Sequence, residues 1–244
     1  MQDSKAGNKY REMLAKRMAK ANWVRLNGKW SIKNSKLNET RAWISPWGYY
    51  ALLDVNSIRS SKHIKNVKSI SLKVKLYDQY RKRNNSRFVI AFAVKNPYRK
   101  FYVQLFGLQL TGNSDKITNA QFIVSDRKNK QKSYLTKYNY FVRGYKKSKF
   151  IMDFNKEYNL TFKFYGNLVT FFCNNKKISS VRFPHANMNG AIAFATMHIK
   201  AAIDNVKVLN TKNKIIFQDN FDDPSTLFVP GIKAKITSKK RKKK

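Results

Sequence analysis

The sequence predicts an all-β sandwich or barrel, and three observations carry that reading. From Trp23 onward apolar and polar residues alternate with period two. Such stretches recur at near-even spacing between small polar turns, and no second helix of any length interrupts them. A half-buried strand needs that alternation because successive side chains point to opposite faces of a sheet, and many short strands without helices pack as two sheets or a closed one.

Taken in order, residues 8–21, NKYREMLAKRMAKA, form the one helical pattern, with Tyr10, Met13, Leu14, Met18 and Ala21 on an apolar stripe. Arg11, Lys16, Arg17 and Lys20 flank it, so it suits docking on its own domain, or lying on a membrane or nucleic acid. Ile70, Leu72, Val74 and Leu76 alternate with Ser71, Lys73 and Lys75, which predicts a strand buried on one face. RFVIAFAVK (87–95) and KFYVQLFGLQL (100–110) read as a hairpin around Asn96-Pro97-Tyr98-Arg99. YNLTFKFYG (158–166) and NLVTFFCNN (167–175) reverse at Gly166-Asn167, and Asn174-Asn175 turns the chain again into KKISSVRF. GAIAFAT (190–196), AAIDNVKVL (201–209) and KIIFQ (214–218) complete the set. The expected organisation is a basic helix over 1–22, one β domain over 23–232, and a disordered Lys/Arg-rich tail over 233–244.

Two stretches carry a family likeness. YNLTFKFYGNLVTFFCNNKKISSVRF, followed by GAIAFAT and Asp204-Asn205-Val206-Lys207-Val208, resembles the closing strands of concanavalin A-like, laminin G-like jelly-roll domains. WVRLNGKWSIKNSKL (23–37) resembles their first strands, with Ser35 where the family commonly has glycine. An Asp-x-Phe-Asp-Asp phrase, expected before Trp23, is found instead as FQDNFDDPSTL (217–227), to be read as a permuted edge strand, a metal site or the start of a truncated repeat. The resemblance implies an antiparallel two-sheet jelly roll, a fold that hosts lectins, glycan-binding modules, glycosidases and adhesion domains alike.

Charge narrows the partner. Lys plus Arg number 51 against 13 Asp plus Glu, a net +38, in a chain of 244 residues that is 42% hydrophobic. A folded chain with this excess repels itself and suits a polyanion: an acidic polysaccharide, nucleic acid or an anionic membrane surface. A compositional lysine bias is the plain alternative. Cys173 is the one cysteine, so no internal disulfide forms, and its apolar surroundings in LVTFFC predict a buried, unreactive thiol. No stretch approaches the ~18 apolar residues of a membrane span. Met1-Gln-Asp-Ser lacks a signal peptide's apolar region, so the chain is expected to be intracellular, or extracellular or of the cell envelope if it is a mature form.

A glucanase of this fold would set paired carboxylates on one strand face as Glu-x-Asp-x-x-Glu or a near variant. No such run is present, the histidines His63, His185 and His198 are scattered, and Asp153 and Glu157 flank a turn. The chain therefore reads as a non-enzyme, unless Asp78, Asp126 or Asp153 meets a partner carboxylate in space. No cofactor is expected. The exception is a structural calcium, implied by the resemblance, at Asp219, Asp222 and Asp223 with Asp204. A turn cap is the alternative for that cluster.

The most ligand-like stretch is RAWISPWGYY (41–50), where Trp43, Trp47, Tyr49 and Tyr50 crowd together beside Arg41. Their rings suit stacking on sugars or unpaired bases, and equally suit sealing one end of the core. Polyanion contacts are expected from Arg81, Lys82 and Arg83, from Arg127, Lys128 and Lys130, from Lys146 and Lys147, and from Lys239, Lys240, Arg241 and Lys242 in the tail. Most of these runs fall at predicted turns, which gather at the ends of a sandwich. Tyr134, Tyr138, Tyr140, Phe141 and Tyr145 interleave with Lys132, Lys137 and Arg143, a mix suited to stacking with charge neutralisation. The function expected is a carbohydrate-binding or adhesion module for an acidic polymer, with a nucleic-acid-associated or assembly protein as the alternative.

Overall fold

Alternation decides which residues turn inward, and the computed structural model follows it closely. It describes residues 20–26, 28–40, 56–77, 86–95, 104–113, 115–125, 142–183 and 189–229. Their strands are β1 (Trp23–Arg25), β2 (Trp30–Lys33), β3 (Lys36–Glu39), β4 (Asn56–Ser60), β5 (Val67–Tyr77), β6 (Ser86–Lys95), β7 (Gln104–Gly112) and β8 (Lys116–Ser125). They continue as β9 (Val142–Asp153), β10 (Glu157–Tyr165), β11 (Leu168–Cys173), β12 (Lys176–Arg182), β13 (Ala191–Met197), β14 (Lys200–Asn210), β15 (Ile215–Asp219) and β16 (Leu227–Phe228). The helix expected over 8–21 lies outside the described residues except for Lys20 and Ala21. Among the described residues the structure supports no helix beyond the 3-10 turn Pro224–Thr226. The tail over 233–244 also lies outside the described residues.

The strands form two sheets. The front sheet runs β16-β1-β4-β13-β6-β7-β8-β9, and the back sheet β12-β11-β10-β5-β14-β3-β2, with β15 also pairing β14. Pairing is antiparallel except between β1 and β16, which run parallel. Inward residues of the two sheets interdigitate, as stacked sheets about 10 Å apart require. Ile70, Leu72, Val74 and Leu76 are all buried, facing Phe88, Ile90 and Phe92 of β6 in one core cluster. Phe92 lies 5.7 Å from Phe162 and 5.1 Å from Phe164, and Phe162 stacks on Phe171 at 5.3 Å. Cys173 points into this core, and burial pushes its thiol pKa up to about 11, so the thiolate nucleophile is scarce at neutral pH.

Tight turns fix the register. Asn34 and Ser35 join β2 to β3 with φ of 53° and 50°, and Asn174 and Asn175 join β11 to β12 with φ of 46° and 64°. Positive φ at both central residues matches the right-handed twist of the paired strands. Gly166, φ 57°, supplies the positive angle between β10 and β11. At the open side of the sandwich the edge strands β9 and β12 meet, joined by a 2.8 Å hydrogen bond from Ser148 Oγ to Ser179 Oγ.

The stretch 217–227 resolves as edge strand and crossover. Phe217, Gln218 and Asp219 pair with β14 in the back sheet, and Leu227 and Phe228 then lie parallel to Trp23 and Val24 in the front sheet. Asp219 clamps this crossing: it accepts from Trp23 Nε1 and Asn22 Nδ2 at 3.0 Å and from the Phe221 amide at 2.8 Å. Trp23 itself is fully buried and stacks on Phe194 at 5.3 Å.

Candidate functional site

The outer face of the front sheet is built row by row from the strand register. One row reads Lys149, Asn119, Thr111, Arg87, Met197 across β9, β8, β7, β6 and β13. The next reads Lys147, Gln121, Gln109, Val89, Ala195, Ser57 and reaches β4. A third reads Gly144, Ile123, Gly107, Ala91, Ala193, Arg59, Val24. These side chains point outward because their neighbours Phe88, Ile90, Leu108, Leu110, Ala120 and Phe122 point into the core.

The face is graded in polarity. Its middle is small and apolar: Val89, Ala91, Ile123, Ala193 and Ala195 form their own buried cluster, separate from the main core. Toward β9 it becomes polar, with Lys147 and Lys149 exposed and Gln121, Asn119 and Thr111 half-buried. Gly144 has a direct role here. A Cβ at this position would stand 2.1 Å from Gln121 Nε2, so only glycine lets the Gln121 amide lie across β9. Amides, a hydroxyl and two free-ended cations thus share one strip, able to pair with vicinal hydroxyls and with carboxylate or sulfate groups.

Among the described residues, none of the positions in these three rows carries a carboxylate. Further along β9, Asp153 accepts from Lys156 Nζ at 2.8 Å, and that hydrogen bond holds its carboxyl below the usual carboxylate range. Glu157 faces the back sheet instead, bonded to Lys36 at 2.9 Å and near Lys73 at 3.5 Å.

Of the aromatic-site and polyanion-contact residues expected from the sequence, Lys146 and Lys147 fall among the described residues. They lie within strand β9 and not in a turn, which corrects the expectation for this run: alternation with Ser148 and Phe150 pulls the cationic stretch into an edge strand. Arg41, Trp43, Trp47, Tyr49 and Tyr50 lie outside the described residues, as do Arg81, Lys82, Arg83, Arg127, Lys128, Lys130, Lys239, Lys240, Arg241 and Lys242. Chain connectivity still says something of the first groups. The segments 41–55 and 78–85 join the front sheet at Asn56 and Ser86, near the Lys149 row. Segment 126–141 leaves it at Ser125, at the opposite end. Gln121, Gln109, Asn119 and Thr111 were not singled out by the sequence reading. Their signal is the polar–apolar alternation of GLQLTG and TNAQFIV.

The acidic cluster is spoken for by the chain itself. Asp219 is saturated by Trp23, Asn22 and Phe221, and Asp222 accepts from Asn220. Asp223 caps the 3-10 turn, accepting from the amide and hydroxyl of Ser225, which lowers its pKa. Asp204 accepts from Asn205. Among the described residues no group of three or more His, Cys, Asp or Glu is placed to hold a metal ion.

No family model matches the sequence, and no curated protein does. Solved structures do match. The carbohydrate-binding module CBM66 from Bacillus subtilis aligns with a TM-score of 0.54 at 11% identity, covering 76% of this chain and 94% of that one. Sheep galectin-11 aligns at 0.42 and 13% identity over 61% and 95%, and Bacillus licheniformis β-glucanase at 0.45 and 11% over 76% and 91%. The fold is a concanavalin A-like jelly roll.

On that fold the expectation of a non-enzyme does not stand. Glycoside hydrolases and transglycosylases stand among the similar structures, and this fold carries binding modules and hydrolases alike, so fold and charge do not exclude catalysis. A missing Glu-x-Asp-x-x-Glu run excludes one arrangement of carboxylates, not hydrolysis as such. Asp54, Asp78 and Asp126 also belong to segments outside the described residues. No helix among the described residues is long and apolar enough to cross a membrane.

Proposed function

We propose that this jelly roll binds an acidic polysaccharide on the outer face of its front sheet. The observation that carries the reading is the in-register strip of Lys147, Lys149, Gln121, Asn119 and Thr111 at the β8–β9 edge. Amides that donate and accept together suit the paired hydroxyls of a sugar ring, while the lysines suit its carboxylate or sulfate groups. Arg41, Trp43, Trp47, Tyr49 and Tyr50, outside the described residues, keep the sequence expectation of stacking on sugar rings. The likeness to a carbohydrate-binding module supports the sugar; the +38 charge supports the acid.

The test is binding to alginate, neutral glucan and duplex DNA, with the same reactions read for newly released reducing ends. Replacing both lysines, Lys147→Ser with Lys149→Ser, should weaken alginate binding about tenfold at low salt and reduce the salt slope by about two. Neutral glucan binding should hold. Unchanged alginate binding in the double variant would remove the front face from the reading, and preference for duplex DNA would remove the sugar.

A further inference from the structure

The charge of this chain is not confined to its loops. On the outer face of the back sheet the register aligns Lys177, Phe172, Thr161, Ser71 and Lys207 across β12, β11, β10, β5 and β14. The adjoining row reads Ser180, Thr170, Lys163, Ser69, Leu209. Four strand spacings separate Lys177 from Lys207, about 19 Å, with Lys163 near the middle. Five hydroxyls, those of Ser69, Ser71, Thr161, Thr170 and Ser180, fill the space between the cations.

These lysines are unopposed. The ion pairs of the described residues join Lys36 and Lys73 to Glu157 and Lys156 to Asp153, and none involves Lys163, Lys177 or Lys207. Lys163 Nζ instead lies 4.9 Å over the Phe172 ring, which holds the cation on the face. Two residues along β10, Tyr165 is 85% exposed, a large ring left in water. Carboxylates on this face stand beyond the two rows, at Asp204 opposite Lys73 and at Glu157 with Lys36 and Lys73. The only charges in the rows themselves are therefore cations, which raise the local concentration of anions.

We propose that this back face is a second docking surface, separate from the front face, for a linear anionic polysaccharide lying across the strands. The chemistry favours that polymer over nucleic acid. Duplex recognition needs an element that enters a groove, and these rows lie on a sheet surface. Single strands need a series of stacking rings, and the two rows offer only Phe172, with Tyr165 beyond them. Phosphate recognition favours the arginine fork, whereas the three cations are lysines. The one neighbouring arginine, Arg182, already donates to Asn167 Oδ1 at 2.8 Å. A hydroxyl ladder between point charges matches sugar rings that bear both hydroxyl and anionic groups.

The experiment compares the full chain with the variant Lys163→Ser/Lys177→Ser/Lys207→Ser for binding to heparin and to duplex DNA over a salt series. Lysine acetylation footprinting with heparin bound accompanies it. Expected are a loss of heparin affinity of tenfold or more, a salt slope reduced by about three, and protection of Lys163, Lys177 and Lys207 in the wild type. Duplex binding should change less, and the thermal midpoint should hold. Wild-type heparin affinity in the variant, or absence of footprint protection, overturns the proposal. An equal or greater loss toward duplex DNA reassigns the face to nucleic acid. Running Lys147→Ser/Lys149→Ser in parallel separates the two faces, because failure of either variant to act leaves the other reading intact.

Discussion

Ser35 holds φ at 50°, a region where an L side chain crowds its own backbone and glycine does not. Its partner in the turn, Asn34, is a residue type that tolerates the angle, but serine is not. Ser35→Gly should therefore stabilise the domain by about 1 kcal/mol, read as a higher urea midpoint with an unchanged slope. A lower midpoint would mean that the serine hydroxyl compensates for the strain. The departure from glycine was visible in the sequence once the jelly-roll likeness was drawn. Its cost was not, because φ belongs to the folded chain. Asp219 illustrates the reverse. The sequence shows it only as one of three nearby acids, yet it is the acceptor that joins Trp23, Asn22 and Phe221 across the seam.

Between elements, Glu157 ties β10 to β3 and β5 through Lys36 and Lys73. The hydrogen bond from Lys36 lowers the Glu157 pKa from its ordinary 4.5, and the same bond raises that of Lys36. A lowered carboxyl contributes stability above its unfolded pKa and loses it as pH falls through the folded value. The raised lysine contributes below 10.5 and loses its share as pH rises through its own folded value. The pair therefore acts across the neutral range. Glu157→Gln should melt below the wild type at about pH 7, and the gap should close near about pH 3. A gap that persists in acid would make the bond, not the charge, responsible. Strand legibility followed the same line between local pattern and context. β5, β10, β11 and β14 alternate cleanly and are plain in the sequence. β9 is not, since VRGYKKSKFIMD exposes Lys146, Lys147 and Lys149 on an edge strand and its charge resembles a loop. The front-face strip is not legible in the sequence, because it comes from registering β7, β8 and β9 and no single stretch contains it.

For the molecule as a whole, +38 arises from 51 Lys and Arg against 13 Asp and Glu, so most cations have no acid to meet; Asp153 and Glu157 are two acids that do form surface ion pairs. Self-repulsion should then dominate the ionic response. Raising sodium chloride from about 50 to about 300 mM should raise the thermal midpoint, as screening weakens like-charge repulsion more than it weakens three surface pairs. A falling midpoint would show that ion pairs outweigh the excess charge. The two faces differ in chemistry, a polar strip beside a buried apolar cluster in front and spaced lysines among hydroxyls behind. The seam that closes the sandwich has a temporal side as well. Trp23 finds Asp219 only across 196 residues, and β1 gains its parallel neighbour only when Phe228 arrives. During synthesis, an indole destined for the centre of the protein stays without its acceptor until nearly the last strand has left the ribosome. This seam of the jelly roll therefore closes late, and until then the first strand lacks its native cover on that side.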